Sequence, residues 1–336
     1  MKAVMCREYG PPEALKVEDV RPAEMGIDDV KIRTHYAGVN YPDIVITAGR
    51  YHWKPACPFV PGLECSGVAI EVGNAVTHLR KGDRVMSSID PKFITRTGYG
   101  SLAEEVVAPA SQTFKIPHSM SFRDAAAIPI AYGTSYHALF DRGGLREGEI
   151  LLVLGAAGGV GLAAIDLARS SGAVVIAAAG SAEKLALAKQ YGAHHLLDYT
   201  KQDIKDAVMQ ITGGRGVDVA FDPVGGDAFD RALRAMAWNG RLLTIGFAAG
   251  RIPAAQANIV LLKGCSVVGV NWGEFTRKFP HKSRENVEVM LAAYEKSELR
   301  PHISREFPLT ECADALLALS SRSASGKVLV NVAQER

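Results

Sequence analysis

The sequence carries little excess charge and few cysteines. Its 336 residues include 38 lysines and arginines against 36 aspartates and glutamates, for a formal net charge of +2. Nucleic-acid binders usually show a basic excess or a basic stripe, so this balance argues against a nucleic-acid partner. The five cysteines are Cys6, Cys57, Cys65, Cys265 and Cys312, and no two form a CxxC pair. This spacing argues against a zinc ribbon or a disulfide framework and favours a reducing, cytoplasmic setting.

Signal-peptide and membrane-span patterns are also missing. The first residues, MKAVMCREYGPPE, lack the apolar core of a signal peptide. The most apolar stretch, residues 150–168, is interrupted by a glycine-rich turn and by Asp166, so we interpret it as a buried strand and helix. We found no internal repeat or low-complexity segment. The chain length predicts two domains, and we expect no membrane partner.

Two different patterns divide the chain. In the first third, short alternating segments such as Val30–Thr34 are separated by many glycines and prolines, which predicts an irregular antiparallel, barrel-like β domain. From about residue 123, apolar strands alternate with helices, which predicts right-handed βαβ units and a parallel sheet in an α/β fold. We predict strands over 150–154, 173–178, 217–221 and 240–245 and helices over 123–140, 160–170, 182–191 and 227–237.

The run ILLVLGAAGGVGLAAIDLA is the strongest functional signal. A predicted strand leads through glycines into a helix, an arrangement that lets backbone N–H groups approach a pyrophosphate at the positive end of the helix. Two registers fit: Gly159-x-Gly161-x-x-Ala164, or Gly155, Gly158 and Gly161. The predicted pyrophosphate contacts are Gly155, Ala157, Gly158, Gly159, Val160 and Gly161.

The end of the next strand indicates which dinucleotide binds. An NAD site usually has an acidic residue about 20 residues further on, which bonds the ribose 2′-OH. Here that region is AAAGSAEK, and no acid stands at the strand end. A hydroxyl and an ammonium suit a 2′-phosphate, so Gly180, Ser181 and Lys184 predict NADP(H). Glu183 is interpreted as an exposed residue of the first helical turn.

Seven motifs lie along nearly the whole chain in a specific order. They are AGVNYPD at 37–43, GRY at 49–51, PFVPGLECSGVAIEVG at 58–73, KGDRV at 81–85, GAAGGVG at 155–161, AGSAEKLALAKQYGA at 179–193 and GKVLV at 326–330. In these motifs the chain resembles the quinone oxidoreductase branch of the medium-chain dehydrogenase/reductase superfamily. The resemblance implies a chaperonin-10-like β-barrel catalytic domain at 1–122 and 263–336. It further implies a doubly wound Rossmann domain at 123–262 and a homodimer.

Residues that would hold zinc in zinc-dependent relatives are replaced. The family position of a cysteine ligand is Asn40, and the histidine of a GHE motif is Leu63 in Gly62-Leu63-Glu64. No cysteine lies between residues 66 and 264, so the structural zinc loop is missing as well. Because leucine cannot bind a metal and asparagine is a poor zinc ligand, we predict no metal site.

Without zinc, a hydrogen-bond donor must polarise the substrate oxygen that becomes negative as hydride arrives. The resemblance assigns this role to Asn40 and Tyr51, and Tyr51 falls where related enoyl-thioester reductases carry a catalytic acid. The alternative for Tyr51 is a pocket wall. The resemblance also implies cofactor contacts at Thr134, Tyr199, Gly246, Phe247, Asn271 and Arg322.

Three functional interpretations remain open at this point. Hydride transfer from NADPH to a quinone is the first, and reduction of an α,β-unsaturated carbonyl or enoyl thioester is the second. The third is an NADPH-binding protein without efficient catalysis. NADPH oxidation in the presence of different acceptors separates them.

Overall fold

The computed structural model describes residues 1–321 and 323–333, which form two compact units. The first unit comprises Met1–Ile130, Phe275–Ser297 and the residues from Pro301 onward, and the second comprises Ala131–Glu274 and Glu298–Arg300. None of the described helices is long and apolar enough to cross a membrane.

Strands make up most of the first unit and the centre of the second. In chain order they are β1 (Lys2–Met5), β2 (Lys16–Asp19), β3 (Asp29–Val39), β4 (Glu64–Val72), β5 (Arg84–Ser88), β6 (Glu105–Pro109), β7 (Thr113–Lys115), β8 (Ile150–Leu154), β9 (Val174–Ala179), β10 (His195–Asp198), β11 (Val217–Asp222), β12 (Met236–Thr244), β13 (Ser266–Gly269), β14 (Ile303–Pro308) and β15 (Lys327–Asn331).

Helices connect the strands of the second unit and pack beside those of the first. They are α1 (Tyr41–Thr47), α2 (Pro91–Thr97), α3 (Phe122–Ala125), α4 (Pro129–Tyr136), α5 (Gly159–Ser170), α6 (Ala182–Gln190), α7 (Ile204–Ile211), α8 (Gly226–Arg234), α9 (Ala257–Lys263), α10 (Trp272–Lys278), α11 (Pro280–Glu295) and α12 (Cys312–Ser320).

The first unit is built on a seven-stranded sheet in the order β14-β15-β3-β4-β5-β7, with β6 also paired to β3. The predicted alternation lies in β3, where Val30 and Ile32 are buried and Arg33 is exposed. Pairing is antiparallel as predicted, except that β14 and β15 are parallel. The exception arises because α12 connects these two strands, and a helical crossover returns the chain in the same direction.

The second unit is a six-stranded parallel sheet in the order β10-β9-β8-β11-β12-β13, as the strand–helix alternation predicted. Counted from β8, this is the doubly wound order 3-2-1-4-5-6. The chain leaves β8 toward β10 and later returns to the other side of β8. Ligands bind such sheets at the carboxyl ends of the strands beside this reversal, which here is the end of β8.

Two predicted helices end differently in the structure. The segment predicted as one helix over 123–140 is divided into α3, α4 and a π-helical turn at His137–Arg142. Pro129 causes the first break, because proline disfavours helical geometry in the residue before it and has no N–H to donate. The helix predicted to reach residue 237 ends at Arg234, since Met236 already pairs with Val217 in the sheet.

Candidate functional site

The glycines after β8 have separate structural roles. Gly155 turns the chain with a positive φ of 59°, a region that favours glycine. Gly158 is exposed and is the N-cap of α5. A Cβ on Gly161 would overlap the carbonyl oxygen of Gly155, so this glycine lets helix and strand pack closely. These roles favour the register Gly155, Gly158 and Gly161 over the one that begins at Gly159.

The loop delivers free amides to the start of a long helix. The first intrahelical bond runs from the Leu162 amide to the Gly158 carbonyl over 2.9 Å. The amides of Gly159, Val160 and Gly161 therefore lie in the first turn, where the helix offers no acceptor. Ala157 is only 4% exposed, so its side chain is buried. Amides at a positive helix end form a suitable site for a pyrophosphate.

The end of β9 gathers the residues predicted to select the dinucleotide. A Cβ on Gly180 would lie 2.9 Å from the Tyr199 hydroxyl, so the phenol ring rests on the Gly180 backbone. Tyr199 is 45% exposed. The Ser181 hydroxyl accepts the Lys184 amide over 3.3 Å and caps α6, which places the serine hydroxyl and the helix start together.

One acid at this edge of the sheet belongs to the neighbouring strand. Asp198 pairs with Ala179, and its carboxylate binds the Thr200 hydroxyl and amide and the Lys201 ammonium, 3.1 Å away. These partners hold the pKa of Asp198 below its ordinary value. The carboxylate is engaged in its own turn, and the end of β9 itself carries no acid.

The segments after β11 and β12 lie beside the glycine loop. Val224 contacts the Gly155 position, and the Gly246 amide donates to the Asp222 carbonyl over 3.4 Å. Phe247 is 37% exposed and packs over Gly225. The Asp222 carboxylate accepts the Val224 and Gly225 amides, so it tightens this turn, and its burial raises its pKa to about 6.

Two further predicted contacts lie around α4. Ser135, next to Thr134, donates to the Val160 carbonyl over 2.8 Å, and Gly133 packs against the Trp272 ring. Asn271 precedes that tryptophan and accepts the Glu274 amide over 3.1 Å. Thr134, Val160 and the segment of Asn271 are therefore neighbours in the second unit. Arg322 lies outside the described residues.

In the first unit, three strand ends bring distant polar residues together. Antiparallel pairing places the end of β3 beside the starts of β4 and β15, with Gly38 opposite both Glu64 and Leu329. Asn40, which follows β3, thus meets Glu64 and Lys327. A Cβ on Gly38 would overlap the Glu64 carboxylate, so this strand position needs glycine.

These three side chains form a buried hydrogen-bonded cluster. The Lys327 ammonium donates to Glu64 Oε1 over 2.5 Å and to Asn40 Oδ1 over 2.7 Å, and Asn40 Nδ2 donates to Glu64 Oε1 over 2.8 Å. Glu64 Oε2 accepts the Ile130 amide over 2.8 Å. The side chains of Glu64 and Lys327 are 0% and 5% exposed, so the ion pair is withdrawn from water.

Asp43 lies beside this cluster. Its Oδ2 accepts a hydrogen bond from the backbone amide of Asn40 over 2.8 Å at the start of α1. Its buried Oδ1 has no hydrogen-bond partner among the described residues. Burial is the main cause that raises the pKa of Asp43 to about 7, and the Glu64 charge adds to it. The Asn40 amide and Lys327 act in the opposite direction.

The sequence analysis did not identify Lys327 as part of a site. A signal was present, because a lysine that opens the apolar strand KVLV is unusual and needs a buried partner. That partner, Glu64, is 263 positions away in the chain.

Tyr51 follows α1 and packs against the core of the first unit. Its ring lies 4.2 Å from that of His52, and Trp53 follows, with the Lys92 ammonium 4.3 Å above the indole. Burial, and then the charges of Asp90 and Asp43, raise the pKa of Tyr51. Its hydroxyl has no hydrogen-bond partner among the described residues, so it can donate to a ligand.

The donor set around Asn40 does not fit zinc. Leu63 is 4% exposed and apolar. Asn40 Oδ1 and Glu64 Oε1 both accept hydrogen bonds from the Lys327 ammonium. The positive charge of Lys327 therefore stands where a metal ion would have to bind these oxygens. The cluster of Asn40, Glu64 and Lys327 also contains no thiolate or imidazole, the ligands that zinc prefers.

Comparisons with known proteins cover the whole chain. Residues 26–118 match the family described as "Alcohol dehydrogenase GroES-like domain", and residues 159–290 match "Zinc-binding dehydrogenase". The "Quinone oxidoreductase-like protein 2 homolog" of Nematostella vectensis is 42% identical over 335 residues, which cover 99% of this chain and 89% of that protein.

Solved structures agree with the same two-domain architecture. The quinone oxidoreductase of Escherichia coli complexed with NADPH has a TM-score of 0.90 and 25% identity, and the match covers 99% of this chain and 100% of that one. A mycobacterial protein complexed with NADPH has a TM-score of 0.91 and 29% identity, with the same coverage. The chaperonin-10-like and Rossmann folds predicted from the sequence are thereby confirmed.

Proposed function

Because the chain belongs to the quinone oxidoreductase branch of the medium-chain dehydrogenase/reductase superfamily, we propose that it transfers hydride from NADPH to a quinone without zinc. The observation that carries the proposal is the glycine loop at the reversal point of the sheet, next to a strand end without an acid. Bound NADPH supplies the hydride. The residues of this chain bind the cofactor and polarise the acceptor.

The second unit offers two anion sites for the cofactor. The pyrophosphate would bind the first-turn amides of α5 at Gly159, Val160 and Gly161. The 2′-phosphate would bind Ser181 and Lys184 beside Tyr199, since a hydroxyl and an ammonium stabilise a phosphate that a carboxylate would repel. Thr134, Gly246, Phe247 and Asn271 would contact the nicotinamide end, and Arg322 the phosphate.

Lys184→Ala is expected to weaken NADPH binding and leave NADH binding nearly unchanged. A charge-assisted contact contributes about 1.5–3 kcal/mol, or roughly 10- to 100-fold in affinity. Fluorescence titration of both cofactors measures the effect. Lys189→Ala, an exposed lysine of the same helix, is the control and should change neither affinity. Equal losses for NADPH and NADH would remove Lys184 from the phosphate site.

Acceptor polarisation would fall mainly to Tyr51. Its hydroxyl is unpaired among the described residues, and its raised pKa keeps it protonated at neutral pH. A protonated phenol can donate to the oxygen that becomes negative and can deliver a proton to it. Asn40 is also proposed to take part. Its side-chain nitrogen donates to Glu64 and, over 3.5 Å, to the Gly38 carbonyl, so it would have to exchange the longer of these bonds for one to the acceptor.

One feature favours the second acceptor class, unsaturated thioesters. Arg50, His52 and Lys54 are exposed on either side of Tyr51 and Trp53, and Lys92 covers Trp53. Cationic groups interleaved with aromatic rings suit an acceptor that carries phosphates and a base, such as a coenzyme A thioester. An uncharged quinone needs no such surroundings.

A panel of acceptors tests the proposed function. NADPH oxidation should be measured with benzoquinones and naphthoquinones, an enal, crotonyl-CoA and crotonyl-pantetheine, which has the same acyl group without phosphates. Quinone turnover supports the first proposal. A crotonyl-CoA KM about tenfold or more below that of crotonyl-pantetheine would favour the thioester, since each charge-assisted contact contributes roughly 1.5 kcal/mol or more. If the protein binds NADPH but oxidises it with none of these acceptors, it is an NADPH-binding protein without efficient catalysis.

Active protein is expected to contain well below one zinc per chain. The reason is the donor set described above, in which Leu63 replaces an imidazole and Lys327 neutralises the nearby oxygens. Elemental analysis of purified protein measures the zinc content, and activity after chelation is the control. Stoichiometric zinc whose removal abolishes turnover would contradict zinc independence.

The proposed homodimer would form through the second unit. β13 is the edge strand of the parallel sheet, and an unpaired edge is open to a second chain. Large apolar side chains are exposed beside it: Trp238 is 72%, Leu261 77% and Leu262 74% exposed. The five free cysteines favour a reducing compartment, the cytoplasm.

A further inference from the structure

Two cysteines of the first unit are neighbours. Cys6 follows β1 and pairs with Phe59 through two backbone hydrogen bonds of 2.8 and 3.1 Å. This pairing brings Cys57, two residues before Phe59, to the same region, and Cys57 packs against the core cluster that contains Cys6. The Cys57 thiol is close enough to Cys6 to raise the pKa of the Cys6 thiol.

The surroundings fix Cys6 more firmly than Cys57. Cys6 is 1% exposed, and its thiol donates to the Glu8 carbonyl over 3.3 Å. Tyr9 lies beside both thiols. Its ring centre is 6.3 Å from that of Phe59, and its hydroxyl donates to the Pro55 carbonyl over 2.5 Å.

Cys57 is the accessible member of the pair. It is half-buried, whereas Cys65, Cys265 and Cys312 are buried. Burial, and then Cys57 itself, raise the pKa of Cys6 to about 12, so Cys6 remains a thiol at neutral pH. An oxidant that enters from solvent therefore meets Cys57 first, with a second thiol in the same core region.

We propose that Cys6 and Cys57 form a reversible disulfide when the protein meets a hydroperoxide. The Cys57 thiolate attacks the peroxide oxygen, the O–O bond breaks, and Cys57 becomes a sulfenic acid while hydroxide leaves and takes up the thiol proton as water. The Cys6 sulfur then displaces the sulfenic hydroxyl, the S–S bond forms, and the Cys6 proton leaves in a second water. Two thiols lose two electrons and two protons, and one hydrogen peroxide is reduced to two waters.

This bond would tie the end of β1 to the segment 49–57, which carries Tyr51. Gly49, at the start of that segment, already packs against the Tyr9 ring. The proposed pair shares no residue with the cofactor site, and its chemistry does not depend on which acceptor the protein reduces.

The test is thiol counting after exposure of the whole protein to a few equivalents of hydrogen peroxide. Under denaturing conditions, two of the five thiols should disappear, and dithiothreitol should restore both. Peptide mapping without reductant should show a Cys6–Cys57 crosslink within one chain. In Cys57→Ser, peroxide should not remove two thiols together. In Cys6→Ser, a sulfenic acid should accumulate on Cys57, where dimedone traps it.

Cys265→Ser, a buried cysteine of the second unit, is the control and should still lose two thiols. If Cys6→Ser does not fold, the wild type and Cys57→Ser decide the matter, because Cys57 is half-buried and tolerates a hydroxyl. Irreversible oxidation of Cys57 without a crosslink, a crosslink between two chains, or no loss of thiols would each overturn the proposal.

Discussion

Tyr51→Phe is expected to slow the reduction of an enone by NADPH about 100-fold or more, with NADPH affinity unchanged. The substitution removes only the hydroxyl and keeps the ring that packs against the core. General acid catalysis contributes on the order of 10² to 10⁴ in rate, so loss of the acid lowers turnover rather than binding. Steady-state kinetics with an enone, together with cofactor titration, measures both quantities.

The acceptor dependence and a control make this result specific. A quinone should be affected less, because its reduced oxygens can take protons from water. Tyr9→Phe removes a hydroxyl that is bonded to Pro55 in the same segment, and it should change turnover little. If Tyr51→Phe retains full activity with every acceptor, Tyr51 is a pocket wall, and Asn40 with ordered water becomes the candidate for polarisation.

The pH dependence offers a second readout. The pKa of Tyr51 is raised by burial and by the charges of Asp90 and Asp43. The phenol therefore stays protonated through the neutral range, and wild-type enone reduction should not fall there on account of Tyr51. A decrease should begin only at high alkaline pH and should be absent in Tyr51→Phe.

The nucleotide-binding unit could be predicted because its signals are local. β8, the glycine loop and α5 follow one another within about twenty residues, and the predicted strand 150–154 coincides with β8. Which glycine register applies was not determined by the sequence, since both spacings fit. The positive φ of Gly155 and the packing of Gly161 against it distinguish them, and both are properties of the folded turn.

The polar cluster of the first unit could not be predicted for the opposite reason. Asn40, Glu64 and Lys327 come from three parts of the chain, and only the register of β3 with β4 and β15 brings them together. Asn40 looked like a free amide in the sequence, whereas both ends of its side chain are bonded in the structure. The helix predicted over 123–140 is broken in the structure for a local reason, Pro129. The prediction followed the continuous apolar pattern and gave this proline too little weight.

Lys327→Met is expected to destabilise the protein by about 3–5 kcal/mol. The ammonium is 5% exposed and binds both Glu64 and Asn40, so its removal leaves a buried carboxylate without its cation. Desolvation of an unpaired charge is costly, and methionine fills the volume without supplying a donor. Urea unfolding followed by circular dichroism measures the free energy of unfolding.

The loss should grow with pH, which distinguishes an electrostatic cause from a packing defect. Lys327 lowers the pKa of Asp43, which burial raises to about 7. Without the ammonium, the pKa of Asp43 should rise further in the folded protein. A carboxyl whose pKa is higher in the folded than in the unfolded protein stabilises the fold below its unfolded-state pKa. That contribution is lost as the pH rises through the folded-state pKa. The variant should therefore be less impaired at pH 5.5 than at pH 8.5.

The double variant Glu64→Gln/Lys327→Met completes the test. It replaces the buried ion pair by neutral groups of similar size, and a glutamine oxygen can still accept the Ile130 amide that Glu64 accepts over 2.8 Å. Replacement of a whole buried pair often costs little, so the double variant should regain most of the stability that Lys327→Met loses. If both variants are equally unstable at every pH, the lysine contributes by packing alone, and Asn40 would have to be held by its backbone contact to Asp43 rather than by the ion pair.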